Sequence, residues 1–513
     1  MANILVLNLG FKSIRSIIFS SNGEKLSSAH RPLETMLNDE IITQDPNEWW
    51  EKASVVINES LKELRGITID FISVTASSSC LVYVDDMIDP LDDCIMVSDK
   101  RAKCEALELE SKESLKSVQD DTQMHMDASL MLPKILWVKK HQPELYNKTY
   151  KFLSPNDFFI ARMTGCFVTD YFNAQKYHYQ IDKKSYPKEL INDLGIDISK
   201  LPEVVAPGSL AGVLTEDAAL ELGFPKQKTP IKIIVSSYDA ICSFFGSGAS
   251  KEGEASDASG TVTVFRVFSK LNDLRSNGNV FLTHFPDWNT NMVGGSNSMG
   301  GGLIEWVKQC YYQNEPYPYE VIEMDARESR LGAGGLIFLP YLMGERAPVW
   351  NPDARGAFWG LERFHTRREM TRAVFESTGF ITLDLLMSVE ESGVNVGDIR
   401  VSGGLTRVNL VNQIKADVTG RSILVLSDFE TTAIGAAILS LVGQGVISSF
   451  EEAAEQFVAI RMIVHPDRKN HEKYKEIFKL YKELYLSTKD IFTRRMNLIN
   501  NVLERHDMKI ENL

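Results

Sequence analysis

Ile4-Leu5-Val6-Leu7, then Asn8-Leu9-Gly10-Phe11-Lys12-Ser13, then Ile14-Arg15-Ser16-Ile17-Ile18-Phe19 follow one another near the start of the chain. The outer segments read as short apolar strands and the middle one as a glycine turn bent between them. A related arrangement returns in mid-chain, where Ser256-Asp257-Ala258-Ser259-Gly260-Thr261 leads into Val262-Thr263-Val264-Phe265. Backbone N–H groups at such turns form anion-binding concavities, and glycine lets the backbone approach a phosphate closely. Taken singly, each turn also reads as an ordinary hairpin. Taken together, they predict a duplicated fold whose two turns face each other across a cleft and hold a nucleotide phosphate chain between two lobes.

Outward from the first turn, Asn22-Gly23 favours a tight hairpin. Residues 46–64 read as a helix, with Pro46 near its start, Glu48 in its first turn and Trp49, Trp50, Ala53, Val56, Ile57 and Leu61 on one face. Strands are expected at Phe71–Thr75, Leu81–Val84 and Ile231–Val235, and helices near 134–141, 155–163 and 369–388. Strands, a helix and more strands indicate a mixed α/β sheet. Composition changes between Gly248 and Gly253, where a second lobe is expected to begin. A last long helix is expected over roughly 467–503, docked through Tyr474, Ile477, Phe478, Tyr481, Leu484 and Tyr485.

The bulk properties narrow the function. At 513 residues the chain is too long for one core. A net charge of −14 argues against non-specific binding to nucleic acid or to an anionic membrane. Six scattered cysteines form no Cys-x-x-Cys pair, so neither a zinc site nor a redox motif is expected. No basic start with an apolar core suggests a signal peptide, and no stretch reaches the roughly 18 apolar residues of a membrane span. The expected location is the cytoplasm.

A set of ordered motifs resembles one family. Arg355-Gly356-Ala357-Phe358-Trp359-Gly360-Leu361, then seven residues, then Glu369-Met370-Thr371-Arg372-Ala373-Val374-Phe375-Glu376 is similar to the second signature of the FGGY carbohydrate kinases. Tyr341 to Pro348 resembles its xylulokinase-like members. Gln44 to Trp50, Lys134-Ile135-Leu136-Trp137, Thr169 to Ala174, Gly403-Gly404, Gln413 to Val418 and Ala433 to Ala437 resemble further family blocks, in order, across about residues 4–485. The resemblance implies an α/β fold of two ribonuclease H-like lobes, of the actin and hexokinase superfamily, around a deep cleft. The expected divisions are 1–250 for the sugar-binding lobe, 251–485 for the nucleotide-binding lobe and 486–513 for a helical tail.

The implied activity is ATP- and Mg²⁺-dependent phosphorylation of a hydroxyl on a sugar, a xylulose-like ketose or a polyol. Such a reaction needs a base at the hydroxyl, a metal on the phosphates and donors around the transferring group. Asp239 follows a buried strand and precedes a helix-like segment, which suits either a helix cap or a base facing the cleft. The resemblance makes it the base. Sugar contacts are expected at Asp99, Asp170 and Asp239, with help from Ser77 and Ser79; Asp99 and Asp170 alone would also suit solvated loops. Phosphate and adenosine contacts are expected at Gly10, Lys12, Ser13, Arg15, Gly260, Thr261, Gly403, Gly404 and Asn409, the last of which also suits a loop cap.

Two loops depart from the family pattern. The first turn, Asp-x-Gly-Thr-Thr-Ser-x-Arg in the family, here holds Asn8, Gly10, Phe11, Lys12, Ser13 and Arg15. Asn8 reaches a hydrated Mg²⁺ only through water and without charge, and Val262 replaces a serine of the second turn. Thr75-Ala76-Ser77-Ser78-Ser79-Cys80 replaces Ser-Gly-Gln-x-His-Gly, which leaves room for a different sugar. These departures keep open a second reading, a catalytically weak or inactive kinase-like protein that binds sugar or nucleotide as a sensor or partner. A homodimer is implied by analogy with the family.

Overall fold

The computed structural model describes residues 2–501 apart from 39, 65, 123–125, 272, 273 and 275–277. Strand β1 (Asn3–Leu9) contains Ile4 to Leu7, all buried. It lies inside a six-stranded sheet, where an apolar run without alternation belongs. β1 pairs antiparallel with β2 (Ser13–Ser20), and β2 pairs antiparallel with β3 (Lys25–Pro32). On its other side β1 runs parallel to β4 (Phe71–Ala76). Two further strands complete the sheet, β5 (Leu210–Val213) and β6 (Lys232–Val235), in the order β5-β6-β4-β1-β2-β3. β6 is parallel to β4, and β5 antiparallel to β6. The helix Pro46–Lys62 covers one face with Trp49, Ala53, Val56 and Ile57, and the Asp45 side chain caps it by accepting from the Asn47 N–H.

A seven-stranded sheet is formed by β7 (Ala255–Ser259), β8 (Thr263–Ser269), β9 (Phe281–Phe285), β10 (Thr290–Ser296), β11 (Ile399–Ser402), β12 (Ile423–Leu426) and β13 (Ile460–Val464). Its order is β9-β10-β8-β7-β11-β12-β13. β7 is antiparallel to β8 and β8 to β10, β7 is parallel to β11 and β11 to β12, and β13 is antiparallel to β12. These directions and this order repeat β3-β2-β1-β4-β6-β5, with β9 added at one edge. The duplication expected from two glycine turns is therefore present as strand topology. Each turn joins the two strands that begin its own sheet.

The chain falls into two compact units, Met1–Gly248 with Glu430–Val458, and Ala249–Phe429 with the chain from Ala459 onward. The first division falls between Gly248 and Ala249, and the segment 430–458 returns to the first unit. Backbone packing causes this return. Helix Thr431–Gly443 lies against helix Asp239–Gly246 so closely that a Cβ on Gly435 would sit 1.7 Å from the Cys242 carbonyl oxygen, and one on Gly246 1.7 Å from that of Thr431. Phe450 then stacks on Phe245 at 4.5 Å between ring centroids, and Phe457 packs on Phe19. Helix Arg468–Asn501 runs through residue 486 and buries Tyr474, Phe478, Tyr481 and Phe492. Residues 502–513 lie outside the described residues.

The second signature builds this core. Helix Arg367–Glu391 starts with a capping box of Thr366 and Glu369. Buried Glu376 accepts from Arg372 Nε at 2.8 Å, the Tyr474 hydroxyl at 2.9 Å and the Gly332 N–H at 2.9 Å, which ties the last helix to helix Arg367–Glu391 and to the segment at Gly332. All six cysteines are free. Among the described residues, no helix is long and apolar enough to cross a membrane.

Candidate active site

In the first unit the parallel strands β1, β4 and β6 end side by side, with Leu9 opposite Ala76 and Val74 opposite Val235. Beyond their ends come Gly10, Ser77 and Ser236 to Asp239. Ligands of open α/β sheets bind at these carboxyl ends. Asp239 is half-buried and is the opening residue of helix Asp239–Gly246. Tyr238, with an extended backbone, occupies the cap position, so the Asp239 carboxylate is not the cap. The Ser77 hydroxyl donates to Asp239 Oδ2 at 3.4 Å.

Asp170 and Asp99, expected to touch the sugar, are both buried with their oxygens engaged inside the protein. Asp170 accepts from the Ser237 hydroxyl at 2.9 Å, from Asn173 Nδ2 at 2.7 Å and from the Phe172 N–H at 3.0 Å. It braces the segment that leads into Asp239. Asp99 takes Arg101 Nε at 2.9 Å and Nη2 at 2.8 Å, and the Ile42 N–H at 2.7 Å. Asn156, which the sequence did not single out, donates to the carbonyls of Val74 at 3.1 Å and Ser237 at 3.0 Å and stitches β4 to the Asp239 segment. In the sequence Lys134 stands only as the first residue of the block Lys134-Ile135-Leu136-Trp137. It is wholly buried, and its Nζ donates to the carbonyls of Ser79 at 2.5 Å and Met96 at 2.9 Å, tying the Ser77–Cys80 loop to the loop that carries Asp99. Ser79 itself is buried with φ 59°.

Burial pushes the Asp170 carboxyl from 3.8 up to about 6. The folded protein then holds this proton at a pH where the unfolded chain has lost it, so the stability it contributes is present at low pH and is lost as pH rises from 3.8 towards 6. Relative to wild type, Asp170→Asn is expected to gain stability across that interval, by up to about 3 kcal/mol. Urea denaturation at a series of pH values checks this.

The first turn is closed by the Gly10 N–H donating to the Ser13 carbonyl at 3.0 Å. Phe11 packs against the apolar core of the unit, and its carbonyl accepts from Gln44 Nε2. Lys12 is exposed, and Asn8 is half-buried opposite Arg15 in the ladder. Arg15, expected on phosphate, directs Nη1 to both oxygens of Glu430 at 2.8 and 2.9 Å.

In the second unit, the carbonyl of Gly260 accepts from the Gly301 N–H at 2.7 Å, and that of Thr261 from the N–H groups of Gly300 at 2.7 Å and Gly302 at 3.2 Å. Among the described residues no hydrogen bond engages the N–H groups of Gly260, Thr261 or Val262. The turn is hemmed from both sides. A Cβ on Gly300 would lie 2.6 Å from Thr263 Oγ1, and one on Gly403, at φ 91°, 2.4 Å from the Ser259 carbonyl oxygen. Gly404 is exposed with open space beside it. Asn409 is exposed and opens helix Asn409–Thr419 without capping it. Among the described residues, no three His, Cys, Asp or Glu side chains could together hold a metal ion.

Comparison with known proteins identifies the class to which this fold and these turns belong. Residues 3–246 match the N-terminal domain of the FGGY family of carbohydrate kinases, and residues 258–443 match its C-terminal domain. The chain belongs to the FGGY family of carbohydrate kinases. It is 28% identical to the xylulose kinase of Bacillus subtilis (strain 168), over 96% of this chain and 98% of that one. It is 26% identical to the gluconokinase of the same organism, over 88% and 90%. The xylulose kinase structure from Lactobacillus acidophilus has the same fold, with a TM-score of 0.87, 23% identity and coverage of 96% and 100%. That of Plasmodium falciparum glycerol kinase with ADP gives 0.84 at 21% identity and covers 94% and 98%. The chain is thus an enzyme, a phosphotransferase acting on a sugar or polyol. Nothing in the structure or in these relatives favours the inactive reading.

Proposed function

We propose that this protein transfers the γ-phosphoryl group of ATP to a hydroxyl of a small ketose or polyol, with Asp239 as the general base. The observation that carries this reading is the half-buried Asp239 carboxylate at the carboxyl ends of β1, β4 and β6, on the first turn of a helix and bonded by Ser77. The carboxylate accepts the hydroxyl proton as the oxygen attacks phosphorus. Asp170, Asn156 and Lys134 hold the surrounding backbone, and Ser77 orients the carboxylate. In the second unit, the N–H groups of Gly260, Thr261 and Val262, which bond to none of the described residues, fit phosphate oxygens, and Gly404 has open space beside it for the adenosine end, while Gly403 lies close against the turn. Mg²⁺ would arrive as the ion carried by the nucleotide phosphates, and in the first unit the half-buried Asn8, one step before the first turn, offers an uncharged amide to a metal-bound water. When bound, it neutralises phosphate charge.

One observation favours a second substrate class. Lys176 follows the Asp170–Asn173 segment, and its ammonium sits 4.9 Å from the ring centre of Tyr238, the neighbour of Asp239. A cation there suits the carboxylate of a sugar acid. The test is ADP release with ATP and Mg²⁺ over a panel of pentuloses, hexoses, polyols and aldonates, for wild type and Lys176→Met. The main reading expects turnover with a neutral ketose or polyol that Lys176→Met retains. Turnover confined to aldonates and lost in Lys176→Met selects the second class. No acceptor-dependent turnover across the panel overturns both.

A further inference from the structure

The equivalent strands β1 and β7 differ at a buried position. Asn8 pairs with Arg15 and Ala258 with Val264, each one step before the turn, so Leu7 in β1 corresponds to Asp257 in β7. Both are fully buried. Where the first unit has a leucine, the second therefore holds a carboxylate, which is costly without a partner. The partner is Lys415, buried on helix Asn409–Thr419, with Nζ 2.5 Å from Asp257 Oδ2. Thr382 Oγ1 donates to the same oxygen at 3.0 Å. Ser259 Oγ donates to Asp257 Oδ1 at 2.6 Å, lies 3.0 Å from Lys415 Nζ and stands 3.2 Å from Thr263 Oγ1.

Ser259 and Thr263 are the last ladder pair before the turn, so they are its two shoulders. A buried ion pair is by itself weak support for stability, and a well-packed apolar pair of similar volume often replaces it without loss. What an apolar pair cannot do is hold the shoulder hydroxyls. We infer that Lys415 and Asp257 are positioning residues for the nucleotide. Together with Ser259 they anchor the turn Gly260–Val262 to helix Asn409–Thr419, so that its N–H groups are set for phosphate before the ligand arrives. The inference rests on the reading that this turn holds the nucleotide phosphates.

The test compares ADP affinity, by calorimetry without acceptor, and thermal unfolding in the full chain. Lys415→Met alone leaves a buried unpaired carboxylate and is expected to unfold at lower temperature. Asp257→Leu with Lys415→Met restores stability, yet weakens ADP binding about tenfold, a loss equivalent to about 1.4 kcal/mol. Ser259→Ala, which keeps the ion pair and removes only the hydroxyl link, is expected to weaken ADP binding severalfold and covers the case in which the double variant does not fold. Gly403→Ala, which presses directly on Ser259, is the control for the underlying reading. If a folded Gly403→Ala binds ADP like wild type, the turn is not the nucleotide site and both readings fall. If Gly403→Ala weakens ADP while Ser259→Ala and a folded double variant bind it like wild type, only the positioning role is overturned.

Discussion

Asp239→Asn is expected to lower kcat by about 10²–10⁴-fold, the range that a positioned general base supplies. The thermal unfolding midpoint should stay close to wild type. The side chain is half-buried at the first position of helix Asp239–Gly246 and does not cap it, so its loss removes neither core packing nor a cap. Asparagine keeps the volume and still accepts from Ser77, but it cannot take up the hydroxyl proton. The loss therefore belongs in kcat, with the acceptor KM nearly unchanged. Steady-state kinetics with saturating ATP measure this. Undiminished turnover in the folded variant would remove Asp239 from the mechanism.

Lys134→Met is expected to raise the acceptor KM about tenfold to a hundredfold and to leave ADP affinity unaltered. Its Nζ is the shared donor for the carbonyls of Ser79 and Met96, and a buried carbonyl left without a donor costs about 1–3 kcal/mol. The two loops that carry Ser77 and Asp99 lose their tie, so the effect falls on the acceptor side. A pH signature separates this tie from simple packing. Burial lowers the Lys134 ammonium from 10.5 to about 8, so between those values the folded protein has released a proton that the unfolded chain retains. Wild-type stability gains a rising contribution over that window, which Lys134→Met lacks. Chemical denaturation from pH 7 to 10 measures it, and identical pH slopes in the two proteins would count against a buried charged lysine.

Local pattern carried much of this structure in the sequence. The apolar run Ile4–Leu7, the helix from Pro46 with its Trp49 and Val56 face, and the strand before Asp239 are each set by neighbours in the chain, and the fold has them where the pattern puts them. Residue type and spacing do not report what a side chain meets across the fold. Asp99 and Asp170 read as polar loop residues facing a sugar, whereas each braces backbone from inside the protein. Arg15 finds Glu430 415 positions away, beyond the reach of any local pattern. The apolar block Ala433 to Ala437 says nothing of where it packs, and only the backbone contact between Gly246 and Gly435 sets it in the first unit. Lys134 was hidden by its motif, since a lysine within Met131–His141 reads as a solvated position until its neighbours Leu132, Ile135 and Leu136 are seen to be buried with it. The signal lay there in the sequence: Lys134 falls on the apolar side of that helix.

The measurement that bears most directly on the central claim is phosphorus NMR of a reaction containing the protein, ATP, Mg²⁺ and the preferred acceptor. The account predicts a phosphate monoester of the acceptor appearing one for one with ADP, absent without acceptor and strongly diminished in Asp239→Asn. ADP appearing with inorganic phosphate and no phosphorylated acceptor would contradict it.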